Sequence, residues 1–95
     1  MIVMNEKDFT KLCKETVAEY ANKRLDRGDG VRITADDIYI VWLCKTLQNN
    51  KALCSSALLG ETYYELTFNG DKNELYLDAY KKFDNQRVSV KENAL

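Results

Sequence analysis

Between residues 25 and 38 the spacing of apolar side chains changes from the helical period to the period of two that marks strands, and it does not change back. One helix followed by a run of strands leaves few architectures open. Phe9, Leu12, Cys13, Thr16, Val17, Tyr20, Ala21 and Leu25 recur at intervals of three and four, which predicts an amphipathic helix over 5–25. Asn5 is its expected N-cap. Glu6 and Asp8 sit in the first turn, where acids suit the helix dipole. A basic end at Lys23, Arg24 and Arg27, then Gly28 and Gly30, stops it. Lys11–Glu15 and Glu19–Lys23 pair along the polar side, each worth only ~0.2–0.5 kcal/mol.

The strand-period half divides at its turn signals. Val31–Ile33 reads as a short strand and Ile38–Leu47 (IYIVWLCKTL) as the main one, rich in β-branched and aromatic residues. Gln48–Lys51 is an expected turn, Ala52–Ala57 a return strand and Leu58-Leu59-Gly60 a second connection. Glu61–Phe68 and Glu74–Tyr80 flank Asn69-Gly70-Asp71, a pair of residues that accept positive φ followed by an acid. Arg87–Val90 is expected to add an edge strand before a polar tail. The fold class is therefore α+β: one N-terminal amphipathic helix packed on an antiparallel meander of four to five strands. Ninety-five residues accommodate a single domain, placed at 4–90, with 91–95 as a frayed C-terminal tail.

The faces of that sheet are unequal. In Ile38–Leu47 both alternating sets are apolar, with Ile38, Ile40, Trp42 and Cys44 on one side and Tyr39, Val41 and Leu43 on the other. Such a strand is expected to be buried on both faces. Leu66, Phe68, Leu75 and Leu77 form the natural seat for the helix, which leaves Tyr63, Tyr76 and Tyr80 on the far side. An aromatic far face has three readings: a solvated face held by cross-strand tyrosine pairs, a self-association surface, or a site for a ligand or foreign partner.

Composition and spacing then exclude chemistry. There is no histidine, so His-based triads, general bases and metal sites are ruled out. Three cysteines, Cys13, Cys44 and Cys54, lack CxxC spacing and read as buried small hydrophobes in a reducing cytoplasm. Met1–Met4 is too short for a signal peptide, and no apolar run reaches the length of a membrane helix. Asp26-Arg27-Gly28-Asp29-Gly30 fails the calcium-loop spacing, because Leu25 and Arg27 fall where the first carboxylates belong. Asp36 and Asp37 are adjacent and, in an extended chain, point apart, so they cannot share a proton. No enzyme activity, cofactor or metal is expected. Lys45, Lys51, Lys72, Lys81, Lys82 and Arg87 are interleaved with tyrosines in the manner of a single-strand stacking platform. Glu61, Glu65, Glu74, Asp78 and Asp84 occupy the same stretch, and the whole chain holds 14 Lys+Arg against 15 Asp+Glu, without the basic excess of a nucleic-acid binder.

The segments Asn5–Ala18, Ile33–Asp37, Val41–Ala52, Tyr63–Glu65, Asn69–Lys72 and Leu75–Lys82, most distinctively the run Trp42-Leu43-Cys44-Lys45-Thr46-Leu47-Gln48-Asn49-Asn50-Lys51-Ala52, resemble a family of small uncharacterised proteins encoded by temperate phages and prophages of Firmicutes. The resemblance covers residues 4–84 and implies a phage accessory protein at work in the bacterial cytoplasm. It carries no catalytic or binding residues across. Together the residues and the resemblance lead to the expectation of a non-enzymatic protein-binding module. Its expected partners are itself, as a homodimer, and an unidentified host or phage protein. Tyr39, Trp42, Lys45, Tyr63, Tyr76 and Tyr80 are the candidate partner-binding residues. The alternative is a nucleic-acid-associated protein of phage replication or regulation.

Overall fold

The computed structural model describes residues 4–24, 32–60 and 62–92. Helix α1 spans Glu6–Arg24. The Asn5 side chain caps it, its Oδ1 accepting from the Asp8 N–H at 2.7 Å, while the Asn5 carbonyl accepts the first helical bond from Phe9. The glycine-rich stop at Gly28 and Gly30, and Val31 of the expected short strand, lie outside the described residues. Arg32 and Ile33 form no strand. Buried Ile33 instead satisfies its backbone through one side chain: Asn22 Nδ2 donates to the Ile33 carbonyl at 2.8 Å and Asn22 Oδ1 accepts from the Ile33 N–H at 2.7 Å. A single 3-10 turn over Ala35–Asp37 follows, where the Asp37 carboxylate accepts from both the N–H and the hydroxyl of Thr34. Asp37 is thereby engaged in a capping box.

Four strands complete the described chain: β1 Tyr39–Thr46, β2 Asn49–Ser55, β3 Thr62–Asn69 and β4 Glu74–Lys81. They form one antiparallel sheet in the order β1-β2-β3-β4, a simple meander. The β1–β2 turn is Leu47–Gln48 alone, with Leu47 at φ 57°, so pairing resumes at Asn49 rather than after Lys51. The β3–β4 turn falls at Gly70–Asn73, and the work is done differently from a two-residue Asn-Gly turn. Asn69 Oδ1 accepts from the N–H groups of Asp71 and Lys72, and Asn73, not Gly70, takes the positive φ of 53°. A 3-10 turn at Ala57–Leu59 and Gly60 at φ 65° connect β2 to β3.

Helix α1 lies on one face of the sheet. Phe9, Cys13, Val17, Ala18 and Ala21 meet Ala52, Cys54, Tyr64, Leu66 and Phe68, with Ile33 and Ile38 closing the layer and Ile40, Leu43, Leu75 and Leu77 half-buried at its margins. Each fully buried large side chain in this layer contributes about 1.5–3 kcal/mol. Tyr20 meets Tyr64 edge to face at 5.8 Å, and the Arg24 guanidinium lies 4.8 Å above Tyr20.

Strand β1 departs from its expected burial. It is an edge strand, and Tyr39, Val41 and Trp42 are each at least 40% exposed. Its double-sided apolar pattern has another cause. Ile40 pairs with Cys54 and Trp42 with Leu53, so Val41 is an extra residue, a β-bulge. The bulge switches the alternation: Ile40 and Leu43 face the helix, whereas Trp42 and Cys44 face away. The expected fifth strand is also absent. Residues 82–91 run without a strand, turn or bend, and all are exposed, so the exposed tail starts at Lys82 rather than Lys91. Among the described residues no helix is long and apolar enough to cross a membrane.

Candidate functional site

Nothing in the described chain covers the side of the sheet opposite α1. Register places Tyr39, Trp42, Cys44 and Thr46 of β1, Leu53 and Lys51 of β2, Tyr63, Glu65 and Thr67 of β3, and Tyr76, Asp78 and Tyr80 of β4 on this open face. Tyr63 stands directly across from Tyr80, and Tyr76 across from Thr67. Trp42 stands across from Leu53, which continues the row to Glu65 and Asp78. Of the six candidate residues, the fold therefore brings five together: Tyr39, Trp42, Tyr63, Tyr76 and Tyr80. Lys45 does not join them. The bulge at Val41 pairs it with Asn50 on the helix side, where it helps line a hollow with Glu6, Phe9 and Leu43.

The charges of the open face are arranged among its aromatics. Lys51 Nζ lies 3.2 Å from Glu65 Oε1, a cross-strand ion pair with Glu65 largely covered. Asp78 lies on the same face, and Glu74 at its edge accepts a hydrogen bond from the Tyr76 hydroxyl. That bond and the adjacent carboxylate hold the Tyr76 phenol above its ordinary range. Strand residues on this face thus supply one lysine against three carboxylates, and the lysine is paired. Lys81 and Tyr80 border a second feature, a cleft of about 450 Å³ on the helix side that Tyr20, Arg24, Leu58 and Tyr64 also line.

The cysteines divide in two. Cys13 and Cys54 are buried, and Cys44, expected inside, is exposed on the open face beyond the bulge. The Cys13 thiol is raised well above its usual range by its hydrogen bond with Cys54 and by burial, which makes it a poor nucleophile. Ser55 and Ser56 are both buried in structural roles. Ser55 donates to the Thr62 carbonyl, and Ser56 accepts from the Leu58 N–H. Asn50 is the residue that spacing missed. It is 3% exposed, donates to the Met4 carbonyl, and carries the one buried side-chain oxygen without a partner among the described residues. Its place in a polar Gln-Asn-Asn-Lys run made it look like a turn residue.

A single helix on one face of a four-strand meander, with aromatic residues on the opposite face, defines a two-layer α+β protein. The chain belongs to a family of unknown function, DUF6275, whose model matches residues 10–90. No curated protein and no solved structure matches it.

Proposed function

We propose that this protein is a non-enzymatic protein-binding module of phage or prophage origin, acting in the cytoplasm of a bacterial host, and that the open sheet face is its docking surface. The observation that carries this reading is the concentration of Tyr39, Trp42, Tyr63, Tyr76 and Tyr80 on one uncovered face. Tyrosine and tryptophan are the residue types enriched at interface cores, where a rigid ring removes much area from water at small entropic cost. An acidic, ion-paired face disfavours a phosphate backbone and suits a protein surface bearing basic and apolar groups.

Trp42 is the sole tryptophan, so its fluorescence reports on this face directly. A partner captured from host lysate by the wild-type protein should shield Trp42 from a soluble quencher. Capture should disappear in Trp42→Ala and Tyr76→Glu while the circular dichroism spectrum is unchanged. Capture indifferent to both substitutions would sink the proposal. Salt-sensitive retention of single-stranded DNA that depends on Lys72, Lys81 or Lys82 would replace it with a nucleic-acid role.

A further inference from the structure

Residues 82–91 stand clear of their own body. Phe83 is fully exposed, and Val88 and Val90 are 76% and 66% exposed, values that a folded chain this small seldom leaves on successive apolar residues of one alternating set. The radius of gyration, 16.1 Å, exceeds the ~12 Å of a compact chain this long, in keeping with an arm held away from the core. The arm nevertheless has strand character: Val88 and Val90 alternate with Arg87, Ser89 and Lys91.

The pattern fits one place in the fold. Strand β4 is a sheet edge, with Leu75 and Leu77 half-buried at the margin of the core and Glu74 and Asp78 on the open face. Laid antiparallel beside β4, the arm matches it position for position: Lys91 opposite Glu74, Val90 opposite Leu75, Ser89 opposite Tyr76, Val88 opposite Leu77, Arg87 opposite Asp78 and Asp84 opposite Lys81. Both apolar pairs fall on the helix side, and two of the three opposite-charge pairs, Glu74–Lys91 and Asp78–Arg87, fall on the open face. Closing this ladder within one chain needs a two-residue turn at Lys82-Phe83, which offers no residue that accepts positive φ readily. The other two-residue turn, Leu47–Gln48, is braced by a hydrogen bond from Gln48 to Asp71, and Lys82-Phe83 has no such brace.

We infer that the arm 84–91 is an exchanged fifth strand, which adds to the β4 edge of a second copy of this chain while the second copy's arm adds to the first. A two-fold axis normal to the sheet through the hinge then joins two four-strand meanders into one continuous sheet. The hinge Lys82-Phe83 shifts the side-chain alternation by one residue, as a bulge does. Both helices fall on one side and both open faces on the other, which doubles the aromatic surface. This inference rests on the arm and the β4 edge and stands whether or not the open face binds a foreign protein.

Light scattering on the full chain over a range of concentrations tests it. The wild-type protein should have twice the 11.0 kDa chain mass. Val88→Asp with Val90→Asp, on side chains that are largely exposed, should return it to a monomer with unchanged circular dichroism. Asp78→Arg or Arg87→Glu alone should weaken the dimer about tenfold, and the two together should restore it. Lys82→Asn with Phe83→Gly should let each arm fold back on its own β4 and yield a monomer. A wild-type chain that stays monomeric at every concentration, or a dimer indifferent to the Val88 and Val90 substitutions, overturns the inference.

Discussion

Asn22 ties α1 to the segment that follows it. Its amide supplies both hydrogen bonds of Ile33, a 2% exposed residue whose backbone has no strand partner. Asn22→Ala leaves a buried N–H and a buried carbonyl unpaired, which should cost about 2–4 kcal/mol in urea unfolding. Nothing in the helical periodicity marks Asn22, because its partner lies eleven residues away across a connection. The cysteines make the complementary point. Only Cys44 should react rapidly with a chromogenic disulfide reagent in the native protein, with Cys13 and Cys54 reacting after denaturation. A second native thiol reacting at the same rate would contradict their burial. Residue type alone argued that all three were inside.

At the scale of elements, the turns show where side chains substitute for backbone chemistry. Leu47 sits at φ 57° and is 82% exposed, a conformation that disfavours a residue with a Cβ and a position that offers a leucine nothing to pack on. Leu47→Asn should raise the thermal midpoint, with a gain of about 0.5–1 kcal/mol, since asparagine tolerates the left-handed region. The helix was legible to within a residue at each end, because its cap and its 3.6-residue period are local signals. The faces of β3 and β4 were legible for the same reason. Those of β1 were not: alternation assumes one residue per pairing position, and the extra residue Val41 breaks that count in the middle of an apolar run. Hence Tyr39 and Trp42, which strict alternation puts on opposite faces, share the open one, and Lys45 lies on the other.

For the whole molecule, the buried hydrophobic residues described form one layer between α1 and the sheet. Leu66 is fully buried between α1 and the neighbouring strands, and Leu66→Ala should cost about 3–4 kcal/mol, a large part of the roughly 5–15 kcal/mol expected for a small domain. Tyr76→Ala, on the open face, should cost below about 1 kcal/mol in the same denaturant titration. A Tyr76→Ala loss as large as that of Leu66→Ala would mean that the open face is part of the core, and the functional reading built on it would fail.

The division between local and tertiary information follows from range. Periodicity, capping and turn chemistry act over a few residues, and from the sequence alone they determined one helix, an antiparallel meander, the seat of the helix at Leu66, Phe68, Leu75 and Leu77, and the tyrosines of the opposite face. The family match over residues 10–90 adds membership without a role. Only the tertiary structure decided that β1 is an exposed edge, that Cys44 is accessible, that Lys45 is separated from the aromatic cluster and that residues 82–91 lie off the body. Each of those outcomes depends on which strand neighbours which and on where a single extra residue is absorbed. Such contacts join residues far apart along the chain, and no local pattern encodes them.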